Sequence, residues 1–145
     1  MDPKTQLKLQ QRILEQEDNL VSWIQDALDN SSYGKFNPQK KEEEKLLEES
    51  QFRNLVSVST STASAEVVKN FLRYQVGRGE KWGKGKGSLA NCIIAQIDKE
   101  IKETADKIAS ELDIQEHSSA IAMNLIRRYL GYGARYLTYL NKGQQ

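Results

Sequence analysis

The stretch that decides the fold lies between residues 88 and 112 and reads SLANCIIAQIDKEIKETADKIASEL. Its larger apolar residues recur at spacings of three and four: Leu89, Ile93, Ile97, Ile101, Ala105, Ile108 and Leu112. This period places them on one face of an α-helix. Ser88 is a good N-cap, because a serine hydroxyl accepts a hydrogen bond from the first turn. The stretch therefore predicts a long amphipathic helix with a structural role.

The composition of the whole chain favours helices. Two of its 145 residues are proline, and Leu, Ile, Glu, Lys and Gln are abundant. The length suits one domain with a real core. We predict an all-α bundle of about five helices in a single domain, residues 1–145. Within it, residues 1–38 form an N-terminal helix and turn, and residues 39–145 form the bundle core.

The same periodicity predicts the other four helices. They cover residues 5–28, 39–58, 66–78 and 114–140. The second of them opens with a charged run, typical of a solvated face. Between the second and the third, VSVSTSTASA at 56–65 alternates as a β-strand does, but it has no obvious partner strand. We interpret it as a helix end followed by a Ser/Thr linker.

A basic, glycine-rich stretch follows, KNFLRYQVGRGEKWGKGKGSLAN at 69–91. It holds six Lys or Arg against one acid, Glu80, and five of the nine glycines lie within residues 77–87. Five glycines cost much backbone entropy and leave little to bury, so we expect a mobile loop instead of a packed element. Cations suit phosphates, and Trp82 is placed to stack on a base. A solvated linker is the alternative.

Charge is distributed unevenly along the chain. Residues 1–66 carry 8 Lys/Arg against 12 Asp/Glu, whereas residues 67–145 carry 13 against 8. The polar face of the predicted last helix holds Arg127, Arg128 and Arg135, and no acid follows Glu116. Such a face suits phosphates. The alternative is that these arginines pair with the acidic first half of the same protein.

Catalytic and metal-binding motifs have little support in the sequence. His117 is the single histidine and Cys92 the single cysteine, so neither a nucleophile–base pair nor a clustered metal-ligand spacing is present. The phosphate-binding loop pattern G-x-x-x-x-G-K-[ST] is absent as well. We predict no enzyme, no cofactor and no metal. With one cysteine, no signal peptide and no long apolar run, we expect a cytoplasmic protein without a membrane partner.

Two stretches resemble a known family. They are AEVVKNFLRYQVGR at 65–78 and LIRRYLGYGARYLTYL at 125–140, both apolar helices studded with Lys/Arg and Tyr. On these stretches the chain resembles the small helical subunits of type III CRISPR effector complexes, over roughly residues 50–142. Those subunits stack along the effector backbone in antiviral defence. Their basic faces line the path of the guide–target duplex, and they have no catalytic centre.

The resemblance implies a non-catalytic, RNA-contacting small subunit of a ribonucleoprotein complex. Its partners would be RNA (the guide–target duplex or a single strand) and other effector subunits. Self-stacking, acidic end to basic end, is a further hypothesis. The matching cations would be Lys69, Arg73, Arg78, Arg127, Arg128 and Arg135. The glycine-rich stretch does not map onto the family, but its own pattern makes Lys81, Trp82, Lys84 and Lys86 further candidate RNA-binding residues. The alternatives are a helical protein–protein adaptor with no nucleic-acid role and, more weakly, a small enzyme using carboxylates.

Overall fold

The computed structural model describes residues 1–39 and 45–143, which form helices and turns with no β-strand. The α-helices are α1 (Pro3–Leu14), α2 (Glu17–Asn30), α3 (Glu49–Thr60), α4 (Ala65–Arg78), α5 (Leu89–Gln96), α6 (Lys102–Glu111) and α7 (Ser118–Thr138). A π-helical turn, Ile97–Ile101, joins α5 to α6, and a second, Tyr139–Gly143, extends α7. The predicted all-α fold is confirmed.

Side-chain caps begin several helices. The side chains of Asp2, Ser64 and Ser88 each accept a hydrogen bond from the backbone N–H three residues later. At the start of α3, Glu48 and Gln51 form a capping box. These bonds satisfy N–H groups that have no partner inside the helix. The predicted N-cap at Ser88 is confirmed.

Two predicted helix boundaries are wrong. The helix expected over residues 5–28 is divided at Glu15 and Gln16 into α1 and α2. The helix expected from residue 39 begins at Glu49. Part of its charged run, residues 40–44, lies outside the described residues. The interpretation of residues 56–65 is confirmed, because α3 continues to Thr60 and a short turn leads into α4.

Helix α7 lies at the centre of the core and packs against α2, α3 and α6. The α7 side chains that are completely buried are Leu125, Ile126, Tyr129, Leu130 and Leu137. The predicted stripe of α5 and α6 is buried from Leu89 to Ile108, and Leu112 is half-buried. By contrast, α1 buries only Ile13. The main body therefore runs from α2 to α7. Helix α1 is attached to it through Ile13, near the C-terminal end of α1.

The π-helical turn between α5 and α6 matches the spacing of the apolar stripe. Four consecutive spacings of four residues, from Leu89 to Ala105, would drift by about 160° around an ideal α-helix. A π turn is wider than an α turn, so it takes up part of this drift. Ile97 and Ile101, at its two ends, are both buried. The turn therefore keeps the stripe directed at the core.

The glycine-rich stretch after α4 is packed at Trp82 and Gly83, which corrects the expectation of a wholly unpacked loop, while residues 84–87 are exposed. Trp82 is 2% exposed, and its ring stacks on Phe52 with centroids 5.6 Å apart. Ser32 donates its backbone N–H to the carbonyl of Gly87. Gly83 has a φ of +82°, and a Cβ there would lie 2.0 Å from the carbonyl oxygen of Ser32. Glycine is needed here for a close backbone approach.

Candidate nucleic-acid interface

The C-terminal half of α4 presents cations and an aromatic ring to solvent. Arg73 and Arg78 are exposed, and Tyr74 is 58% exposed. Tyr74 and Arg78 are four residues apart, so they share one face of the helix. The guanidinium carbon of Arg78 lies 5.4 Å from the centroid of the Tyr74 ring. This geometry is a cation–π contact at an exposed site.

The segment after α4 continues this positive surface. Lys84 and Lys86 are exposed and Lys81 is half-buried. Arg78 and Lys81 open onto one cleft of about 360 Å³, which Glu80 also lines. Glu80 forms two long, exposed ion pairs, since its carboxylate lies 3.7 Å from Lys84 and 3.7 Å from Lys45.

Four cations of this surface have no acidic partner among the described residues. Within residues 1–39 and 45–143, no acidic side chain forms an ion pair with Arg73, Arg78, Lys81 or Lys86. Within those residues, their charge is therefore not balanced by an ion pair. Such cations release few internal contacts when they bind a phosphate.

Two predicted site residues are corrected by their burial. The side chain of Lys69 is 10% exposed, and its Nζ lies 2.6 Å from Asp98 and 2.9 Å from Glu66. Hydrogen bonds to Asp98 and Glu66 raise the pKa of Lys69. The charge of Lys69 is therefore compensated by two carboxylates of the same chain. Trp82 is buried against Phe52 and presents no face to a base.

Two of the three predicted arginines of α7 already have partners within the first half of the chain. Arg127 donates from Nε to the carbonyl of Ser59 at 2.8 Å and from Nη2 to the carbonyl of Thr62 at 2.7 Å. Those carbonyls lie at the C-terminal end of α3 and in the turn after it. Arg128 lies 3.3 Å from Glu17 at the start of α2. The alternative of pairing with the acidic half therefore holds for Arg128.

Replacing Arg127 with alanine is expected to lower the free energy of unfolding by about 1–3 kcal/mol, since two carbonyls lose charged donors. Urea denaturation measures this loss. Arg135→Ala is the matched control on the same helix. Arg135 is exposed and contacts the ring of Tyr132, so its removal is expected to change stability by at most about 0.5 kcal/mol. Equal losses for the two variants would show that the two hydrogen bonds of Arg127 do not stabilise the fold.

The outer face of α7 forms an open groove of about 450 Å³. It is lined by Asn124, Arg127, Arg128, Gly131, Tyr132 and Arg135. Arg135 is exposed, and its guanidinium carbon lies 5.9 Å from the centroid of the Tyr132 ring. The structure therefore separates the predicted cations into two surfaces, one on α4 and the segment after it, the other on α7.

The aromatic residue that the basic stretch exposes is not the one predicted to stack on a base. Tyr74 is the exposed ring, whereas Trp82 is buried. A signal for this was present, because Tyr74 lies on the face of α4 opposite Val68 and Leu72, which are buried. Glu17, the partner of Arg128, carried no local signal, since it lies 111 residues away along the chain.

The groups considered for catalysis lie apart from both surfaces. Cys92 is half-buried on α5, and burial raises the pKa of its thiol, which disfavours the thiolate at neutral pH. His117 is half-buried just before α7 and lies 3.7 Å from Glu116. In the described parts of the chain, no three His, Cys, Asp or Glu side chains are grouped so that they could hold a metal ion.

Comparisons with protein-family models, curated proteins and solved structures found no match for this chain. The resemblance to type III CRISPR small subunits therefore stays a prediction, as do the complex partners that it implies. Within the described residues, none of the helices combines the length and the apolar character needed to cross a membrane.

Proposed function

We propose that this chain is a non-catalytic subunit that binds the sugar–phosphate backbone of single-stranded RNA. The proposed binding region, called here the α4 surface, consists of Arg73, Tyr74, Arg78, Lys81, Lys84 and Lys86. The observation that carries the proposal is its set of four cations without an acidic partner in the described residues. A basic surface with an exposed aromatic ring is typical of proteins that bind single strands without sequence preference.

Each part of the α4 surface has a distinct role in this proposal. Arg73, Arg78, Lys81 and Lys86 contact phosphates and release the counterions bound there. Tyr74 offers a ring on which a base stacks, a contact that contributes about 1–3 kcal/mol in other proteins. Arg78 holds the Tyr74 ring through its cation–π contact. None of these contacts reads the base sequence.

Four phosphate contacts predict a steep salt dependence. On a single strand, the logarithm of affinity falls with the logarithm of salt concentration by about 0.7 for each phosphate neutralised, or about 3 for four. Binding of a labelled single strand of about 12 nucleotides, followed by fluorescence anisotropy at several salt concentrations, measures this slope. A slope near zero, or no binding at low salt, would reject the proposal in favour of the protein–protein adaptor.

A matched pair of variants locates the binding surface. Replacing Arg73, Arg78, Lys81 and Lys86 with glutamine is expected to remove most of the salt slope and to weaken binding at low salt by at least about tenfold. The control replaces four exposed lysines elsewhere, Lys4, Lys8, Lys99 and Lys107, and so changes the net charge equally. It is expected to bind as the wild type does. Equal losses in both variants would show that net charge, and not the α4 surface, attracts the RNA.

We further propose that the RNA-binding subunit works inside a ribonucleoprotein complex of the type III CRISPR kind. The support for this is the resemblance of the stretches at 65–78 and 125–140, the first of which includes part of the α4 surface. Affinity purification of the tagged chain from its native host is expected to recover a small guide RNA together with several protein subunits. Recovery of protein partners without RNA would favour the adaptor.

A further inference from the structure

The groove on α7 has the composition of an anion site. Its lining includes Arg127, Arg128 and Arg135 and no acidic residue. Its volume of about 450 Å³ leaves room for a small molecule with a phosphate group. It uses none of the residues of the α4 surface, so it is a separate site.

Gly131 forms the floor of this groove. A Cβ built at this position meets no atom within 4 Å, so the missing side chain leaves open space over the helix backbone. Arg128 lies three residues before Gly131 and Arg135 four residues after it, and both line the groove. Seven residues along an α-helix span about 10 Å. The backbone positions of the two arginines therefore lie on either side of Gly131 along the helix.

Arg128 is oriented by two contacts. Its Nε donates to Oδ1 of Asn124 at 2.8 Å, and its Nη1 lies 3.3 Å from Oε1 of Glu17. A carboxylate oxygen on a guanidinium occupies the position that a phosphate oxygen takes in an Arg–phosphate pair. The Glu17 side chain is 41% exposed, so this pair is weak and can be exchanged.

Tyr132 and Arg135 supply a flat surface at the other end. The guanidinium carbon of Arg135 lies 5.9 Å from the centroid of the Tyr132 ring. Aromatic rings and guanidinium planes both stack on nucleobases. A ligand that combines a phosphate with a base would match both ends of the groove.

We propose that the α7 groove binds a nucleoside phosphate, with its phosphate between Arg128 and Arg135 above Gly131 and its base against Tyr132. Glu17 holds Arg128 in the empty groove, and the phosphate displaces it. The same chemistry is found in a free nucleotide and in one unit of an RNA strand. The experiment below distinguishes these two sources.

Calorimetric titration of the full chain with adenosine 5′-monophosphate tests the free-nucleotide source. Glu17→Gln is expected to tighten binding about twofold to fivefold, because an exposed ion pair no longer competes. Asp18→Asn makes the same charge change one residue away, and no ion pair of Asp18 is found among the described residues. It is expected to leave binding close to that of the wild type. Equal tightening by both variants would overturn the exchange of Glu17.

Gly131→Leu blocks the groove without disturbing the core, since its Cβ lies in open space. Leucine is also a better helix former than glycine, so the variant is expected to be at least as stable as the wild type. It is expected to weaken nucleotide binding at least tenfold. Unchanged nucleotide binding by this folded variant would overturn the proposal.

The RNA source is tested with the variant that lacks the four cations of the α4 surface. Residual binding of labelled RNA by this variant that falls with Gly131→Leu identifies an RNA unit as the occupant. Nucleotide binding without such an effect on RNA identifies a free nucleotide. Absence of both overturns the groove site, and the salt slope of the otherwise unchanged chain still tests the α4 surface separately.

Discussion

Replacing Trp82 with alanine is expected to lower the free energy of unfolding by about 3–5 kcal/mol, the usual cost of truncating a buried aromatic residue. Trp82 is 2% exposed and stacks on Phe52, which is completely buried. Phe52 in turn lies close to Gly133 of α7. The indole therefore joins the glycine-rich segment to α3, at the point where α3 packs on the central helix.

Tyr74→Ala is the matched control, since both aromatic residues belong to the same basic stretch. Tyr74 is 58% exposed, so its removal is expected to change stability by at most about 0.5 kcal/mol. Urea denaturation followed by far-ultraviolet circular dichroism measures both variants. The two variants are also expected to differ in RNA binding, because Tyr74 belongs to the α4 surface. A stable Trp82→Ala variant would mean that the segment is not packed.

The contrast between these residues shows what local sequence predicts. The stripe from Leu89 to Ile108 can be predicted because its period is a local property. Residues three and four positions apart lie on the same face of a helix, so that face is the buried one. The glycine at position 83 depends instead on a contact between distant parts of the chain. Gly83 allows the chain to approach Ser32, a contact between residues about fifty positions apart, which composition alone does not reveal. Glycine-rich composition therefore predicts mobility even where, as at Gly83, a close contact requires the glycine.

The same reason limits what the sequence predicts about the candidate site. A lysine or arginine in a sequence shows a charge but not the partner of that charge. The sequence places Lys69 among the RNA-contacting cations, whereas in the structure Asp98, 29 residues away, binds it. It places Arg128 there too, and the acidic partner of Arg128 belongs to α2. Only the tertiary structure distinguishes these cations from Arg73, Arg78, Lys81 and Lys86.

The predicted helix boundaries are wrong where the local signals are weak. The division between α1 and α2 contains neither glycine nor proline, and Ile13, Leu20 and Ile24 keep a helical spacing across it. The start of α3 at Glu49 depends on its capping box, which lies inside a run of good helix formers. Boundaries of this kind depend on tertiary packing as well as on propensity.

Opposite changes in stability are expected when the two glycines of α7 are replaced by alanine. Gly131→Ala is expected to raise the free energy of unfolding by about 0.5–1 kcal/mol, since alanine is the better helix former and the new Cβ meets open space. Gly133 is buried, and a Cβ there would lie 2.6 Å from Cγ1 of Ile24 and 2.7 Å from Cζ of Phe52. Gly133→Ala is therefore expected to cost about 1–3 kcal/mol through overpacking.

The pair is informative because both substitutions add one methyl group to the same helix, two residues apart. The free energies of unfolding of the two variants, measured by thermal and urea denaturation, are expected to differ by roughly 1.5–4 kcal/mol. The space around each glycine determines whether its variant is more or less stable than the wild type. Adding Phe52→Leu to Gly133→Ala is expected to recover part of the loss, because the nearest aromatic atoms are removed, and the two changes would then be non-additive. If Gly133→Ala proved as stable as Gly131→Ala, α7 would not approach α2 and α3 as closely as described. The central position of α7 in the core would then be wrong.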